Sequence, residues 1–281
     1  MTYSSLLDTA FLLEHPAGST VRVAHHGAHV VSWTDTTGRE RLYLSRETHT
    51  GPSASIRGGI PVIFPQFGVG PLPKHGFVRT RDWSVIAHRP ASVSLRISDD
   101  ETSRALWPHR WTLELHVELG EALTVRMVAR NTGDSPFDFT AALHNYFLVD
   151  DVATAAVRGL ASVPYHDKTK PAMITSSTRG VTSVQRDELL TVDGEMDRVY
   201  VGGPRSVAIE NAVGSSATQI TADGFGDWVV WNPGREGAGA LGDMPADDYR
   251  RMLCVEAARV ESPVRLEPNA EWTGVETLTV T

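Results

Sequence analysis

The chain has 281 residues, 41% of them hydrophobic and 21% charged, and its 26 lysines and arginines against 34 aspartates and glutamates give a formal charge of −8. An ordinary globular apolar fraction excludes wholesale disorder, and the acidic balance argues against nucleic acid as the main partner, because phosphate backbones demand a basic face. No apolar run is long enough to span a bilayer, residues 1–20 lack the basic-then-apolar layout of a secretory leader, and the single cysteine, Cys254, fits a reducing compartment, so a cytoplasmic protein without a membrane partner is expected.

Period-two alternation of apolar and polar residues, the mark of a half-buried strand, recurs along the chain. Thr20–Trp33 and Arg41–Leu44 are the first such segments. Ile56–Phe77, reading IRGGIPVIFPQFGVGPLPKHGF, breaks the rhythm. Its prolines remove ladder donors and its glycines weaken pairing, so a structured loop is predicted, and loops of about 20 residues inside compact domains are usually functional. Trp83–His88 and Ser92–Ser98 read as strands, with a helical turn near Ser103–Trp107. In Trp111–Leu119 the apolar set Trp111, Leu113, Leu115, Val117 and Leu119 alternates with Thr112, Glu114, His116 and Glu118. Gly120 and Glu121 then turn the chain, and alternation resumes at Leu123, Val125, Met127 and Ala129, which predicts a β-hairpin. Further strands are expected at Phe137–Val149, Asp197–Val201, Ser206–Glu210, Trp228–Trp231, Arg251–Arg259 and Glu271–Thr281, with a helical turn near Pro245–Tyr249. No window of a dozen residues carries helical periodicity, and no linker or repeat marks a boundary. The prediction is one all-β domain over residues 1–281, an antiparallel sandwich or barrel.

Within the irregular loop and just beyond it, Arg57, Lys74, Arg79 and Arg81 concentrate positive charge in an acidic protein. Guanidinium groups bind phosphate through a bidentate fork, so a small anionic ligand is one reading, and surface pairing with Asp82, Glu40 or Glu47 is the other. The loop's glycines do not match a phosphate-cradling motif. Two residues interrupt otherwise apolar strands. Glu256 lies in RMLCVEAAR, where both strand faces are apolar, so its carboxylate is buried and its pKa is driven upward unless paired. His144 lies in FDFTAALHNYFLV, among Ala142, Leu143, Tyr146 and Phe147. A buried acid and a buried imidazole together suggest acid–base chemistry, whereas either alone is as readily a satisfied core residue. His25, His26 and His29 cluster around Gly27, but the spacing does not gather them on one strand face, and no metal is expected there. Asp223, Asp227, Asp247 and Asp248 read as turn and cap residues.

These segments resemble the aldose 1-epimerase superfamily, and within it the glucose-6-phosphate 1-epimerase branch. The resemblance rests on GAHVVSW at 27–33, IRGGIPVIFPQFG at 56–68, KHGFVRTRDW at 74–83, LHNYF at 143–147, GEMDRVY at 194–200, VVWNPG at 229–234 and CVEAA at 254–258. It implies an antiparallel β-supersandwich of the galactose mutarotase type, acting on the anomers of a hexose 6-phosphate without a cofactor; separately, a monomer is expected. It further implies His144 as general acid, Glu256 as general base, and Arg57, His75, Arg79 and Asp197 as substrate-binding residues. Lys74 stands where relatives carry glutamine, which suggests either an added cation for phosphate or a somewhat different sugar phosphate. On this reading His144 as imidazolium and Glu256 as carboxylate flank the sugar's C1 from opposite sides. An epimerase of unphosphorylated aldoses and a catalytically silent carbohydrate-binding sandwich are the alternatives.

Overall fold

In the computed structural model, residues 3–281 are described except 50, 52, 171–180, 211, 213 and 215. Two large sheets stack face to face, and every strand pair in them is antiparallel. The predicted hairpin is present. Trp111–Leu119 pairs with Leu123–Asn131 from Trp111 opposite Asn131 to Leu119 opposite Leu123. It sits in a nine-stranded sheet together with Glu271–Val280, Thr218–Asp223 and Ser206–Glu210 on one side and Ser92–Ser98 and Ser84–Arg89 on the other.

The second sheet has eight strands. At its centre Met252–Leu266 lies between Asp227–Asn232 on one side and Phe137–Leu143 with Tyr146–Leu148 on the other. Met196–Tyr200 and Pro164–Asp167 extend it on the Asp227–Asn232 flank. Inward side chains from both sheets form one core, in which Trp111, Leu113, Leu115, Val125 and Leu278 meet Leu143, Val230, Leu253, Val255 and Ala257. Each such aliphatic side chain contributes about 1.5–3 kcal/mol on full burial. The alternate residues of the second sheet, among them Ala142, Val199, Val229 and Ala258, are also buried, against loops that cover its outer face. The central strand is therefore buried on both faces, as its composition suggested, and residue parity decides which of its side chains see the outer face.

Several expected elements differ in detail. Thr20–Trp33 is two strands, Thr20–Val23 and Val30–Thr34, because the chain turns at Gly27 and Ala28, both at positive φ. Arg41–Leu44 makes only isolated bridges, Leu42 to Phe147 and Leu44 to Gly58. Ile56–Phe77 is mainly loop, as predicted, with the single short strand Val62–Ile63. The helical turn near Ser103–Trp107 is the helix Glu101–Leu106, started by a reciprocal capping box between Asp100 and Ser103. The turn near Pro245–Tyr249 is a 3₁₀ turn at Asp248–Arg251. Two helices went unforeseen, Tyr3–Thr9 and Gly234–Ala240, both seven residues long and too short to show a period.

Candidate active site

A cavity of about 560 Å³ opens on the outer face of the eight-stranded sheet. Arg57, Lys74, His75, Arg79, His144, Asp197 and Glu256 all line it, so the structure brings together the seven residues expected to act on the sugar, though not Arg81. Tyr146, Lys168, Trp231 and Phe67 complete the wall and were not anticipated. Lys168 lies in a polar turn with no local signature, and Tyr146 and Trp231 read as ordinary core aromatics.

His144 follows the strand Phe137–Leu143, where pairing is interrupted, and its backbone N–H donates to Pro61 O at 3.0 Å. Parity sends Leu143 into the core between the sheets and His144 outward. There its ring stacks on Tyr146 at 4.8 Å with the planes 7° apart. Glu256 sits mid-strand opposite Val229 and is 1% exposed. The two meet with His144 Nδ1 3.4 Å from Glu256 Oε1, while His144 Nδ1 and Glu256 Oε2 have no hydrogen-bond partner.

This geometry corrects the expectation of an acid and a base on opposite sides of C1. The groups stand side by side on one wall, too close for a sugar carbon between Nδ1 and Oε1. Burial works against the expected resting charges. Burial, reinforced by His75, Arg79 and Arg57, holds the His144 imidazole well below its usual range, and burial, reinforced by Asp197, pushes the Glu256 carboxyl well up. Desolvation thus works against both charged forms, the imidazolium and the carboxylate. A neutral pair and an imidazolium–carboxylate pair carry the same number of protons and differ only in where one of them sits.

The cationic wall is built by the irregular loop. Gly59 takes a positive φ of 62° and approaches Val30 O so closely that an added Cβ would lie 2.2 Å from it, which fixes the loop just after Arg57. Arg57 Nε donates to Asp243 Oδ1 at 3.0 Å and Nη1 to the Tyr146 hydroxyl at 2.8 Å. Its partner is thus Asp243, not Asp82, Glu40 or Glu47. Gly76 fixes the second approach, since a Cβ there would lie 2.0 Å from Phe64 O. His75, beside it, has a positive φ of 65°, a strained setting for a non-glycine residue that points to function. Arg79 lies on the 3₁₀ turn Val78–Thr80, donates from Nη2 to Lys74 O at 3.1 Å, and keeps a buried Nε without a partner. Among the described residues neither Lys74 nor Arg79 has a carboxylate partner.

Lys168 Nζ stands 4.9 Å from the Phe67 ring centroid. His75 is driven down to about 3, first by burial and then by Arg79, Lys74, Lys168 and Arg57, so it is neutral and ringed by four cations. Asp197 is pushed upward by burial despite Lys168 and Lys74. Arg81, by contrast, pairs with Asp100 at 2.8 Å away from the cavity.

The remaining sequence candidates have structural partners. His26 bonds Asp82 and Ala54 O, and His29 donates from Nε2 to Gly58 O at 2.6 Å. Asp227 accepts from the backbone of Val260 and Glu261, Asp223 pairs with Arg205, Asp248 accepts from the Tyr43 hydroxyl, and Asp247 lies 3.8 Å from Arg235. Among the described residues one set could hold a metal: His144, Cys254 and Glu256 bring a ring nitrogen, a thiol and a carboxylate oxygen within 4.8 Å of one another. A soft divalent ion there would occupy the lone pairs that proton transfer requires.

The family model for aldose 1-epimerase matches residues 9–279. A protein of Cenchrus ciliaris provisionally named glucose-6-phosphate 1-epimerase is 36% identical over 263 residues, covering 89% of this chain and 78% of its own. One of Escherichia coli (strain K12) with the same provisional name is 32% identical over 257 residues, covering 88% and 82%. A crystal structure from Salmonella typhimurium, provisionally described as a mutarotase, superposes with a TM-score of 0.85 at 29% identity over 96% of this chain and 89% of that one. A Synechocystis protein at 21% identity has the same fold, with a TM-score of 0.81 over 97% and 95%. The chain belongs to the aldose 1-epimerase family, and its fold is the β-supersandwich of the mutarotases.

Proposed function

We propose that this family member interconverts the α and β anomers of a hexose 6-phosphate, glucose 6-phosphate above all, by acid–base ring opening and closure. The observation that carries the phosphate is the set of four cations, Arg57, Lys74, Arg79 and Lys168, around one cavity in a protein of net charge −8. An unphosphorylated sugar has no use for such a wall, and a dianionic phosphate does. The names carried by the similar proteins from Cenchrus ciliaris and Escherichia coli support the same substrate.

His144 and Glu256 are the acid–base pair. O1 and O5 of the sugar are bonded to the same carbon, so a side-by-side acid and base can reach both. One group delivers a proton to the ring oxygen while the other removes the proton of the anomeric hydroxyl. The C1–C2 bond then rotates, and closure on the other face returns both protons. Each transfer supplies about 10²–10⁴-fold. Asp197 receives a sugar hydroxyl and neutral His75 orients the ring. The one cysteine, Cys254, is free and buried, in keeping with the reducing cytoplasm proposed for the enzyme. Among the described residues no helix is long and apolar enough to cross a membrane. Rates of anomer exchange on glucose 6-phosphate and on glucose test the reading; equal catalytic efficiency on both would remove the phosphate from it.

A further inference from the structure

The ladder along Met252–Leu266 is broken at one place beside the cavity. Leu143 is in register with Ala257 and Tyr146 with Cys254, which leaves His144 and Asn145 opposite Val255 and Glu256 without a ladder pair. The Asn145 side chain fills the gap. Its Nδ2 donates to Val255 O at 3.0 Å and to Glu276 Oε1 at 2.6 Å. One amide therefore ties the residue after His144 to the residue before Glu256.

Glu276 reaches this amide from the other sheet. It lies on Glu271–Val280, is 0% exposed, and has apolar Ala222 and Val125 beside it in register. From the facing strand Met252–Leu266 the ionisable group whose charge couples to it is Glu256. A carboxylate anion here would be buried between two sheets with no cation. The hydrogen-bond count argues the same way. Both Nδ2 hydrogens of Asn145 are committed, and two acceptors, Asn145 Oδ1 and Glu276 Oε2, are left without a donor. A single proton on Glu276 supplies the missing donor and removes the charge.

We propose that Glu276 serves as a neutral carboxylic acid paired with the Asn145 amide, a positioning residue that holds His144 against Glu256. The proposal rests on the acid–base roles given to that pair above. Burial, opposed by the Asn145 hydrogen bond, carries the Glu276 carboxyl up to about 8, so the clamp is intact at neutral pH and weakens above it.

Glu276→Gln and Glu276→Leu separate this role from simple packing. Glutamine offers the same acceptor and donor as the protonated acid, with no proton to lose. Its kcat should stay within about twofold of wild type at pH 7 and should not follow the wild-type decline between pH 8 and 9. Leucine keeps the volume but abandons the amide; its kcat should fall about 10–100-fold with KM changed by less than about threefold, as misplaced catalytic groups do. Wild-type kcat in the leucine variant, or equal losses in both variants, would overturn the proposal. A titration of ¹³C-labelled glutamate carboxyls, with the glutamine variant to assign the signal, needs no turnover. A Glu276 carboxyl ionising near pH 4–5 would overturn the proposal, and one ionising near pH 8 supports it even if the wild type proves inactive on hexose phosphates, an outcome that would sink the functional reading alone.

Discussion

Asp243 accepts a 3.0 Å hydrogen bond from Arg57 Nε and so holds that guanidinium at the cavity wall, with Nη1 on the Tyr146 hydroxyl. Both partners are largely buried, which makes the contact a charge-assisted hydrogen bond of fixed geometry, unlike a surface ion pair. Asp243 lies almost two hundred residues from Arg57 in the chain and touches the reaction only through it.

Replacing Asp243 with asparagine should therefore act on substrate binding. KM for glucose 6-phosphate is expected to rise about 10-fold with kcat little changed, in line with the roughly 1.5–3 kcal/mol carried by a hydrogen bond to a charged group. Steady-state kinetics on the two anomers check it, and an unchanged KM would mean that Arg57 holds its position without Asp243.

Arg57→Ala and Arg79→Ala should each raise KM for glucose 6-phosphate far more than for free glucose, by about 10-fold or more. Equal effects on the two sugars would say that neither guanidinium reads phosphate.

Lys74 and Lys168 are exposed at the rim, where charge is screened by salt. Lys74→Gln and Lys168→Ala should raise KM for the phosphorylated sugar by only about 2–5-fold, and each should flatten its dependence on ionic strength. A salt dependence identical to wild type would place both lysines outside the substrate's field.

Glu256 carries a stability cost together with its function. Its carboxyl pKa in the folded protein is raised above the unfolded value by burial and by Asp197, so the folded state binds the proton more tightly. Its contribution to stability is then fully present below the unfolded pKa near 4.5 and is lost as pH rises towards the folded value. Glu256→Gln has no such proton to lose. It should melt higher than wild type at pH 8, with the gap closing towards pH 5, while losing most activity. Thermal melts across this pH range check it, and a gap that widens at low pH would mean that Glu256 is ionised in the fold.

The two groups proposed as the acid–base pair stood out in sequence because an acid and an imidazole interrupt strands that are otherwise apolar on both faces. The cationic loop was legible because prolines and glycines stop it from being a strand. What could not be read was how the groups meet. Side-by-side contact of His144 and Glu256 depends on the break between Phe137–Leu143 and Tyr146–Leu148, whereas alternation alone suggested one unbroken strand. Asp243, Asn145 and Lys168 carry no local signature, because their partners lie far away in the chain. The downward pull on His144 and the upward pull on Glu256 followed from the depth of burial, which is a property of the packed sheets.

Two-dimensional exchange NMR on the anomeric protons of glucose 6-phosphate tests the central claim most directly, with wild type, His144→Ala and Glu256→Gln compared at equal concentration. Wild type should accelerate α–β exchange, and each variant should lose about 10²-fold or more while keeping its fold. Exchange at near wild-type rate by either folded variant would contradict the assignment of the acid–base pair.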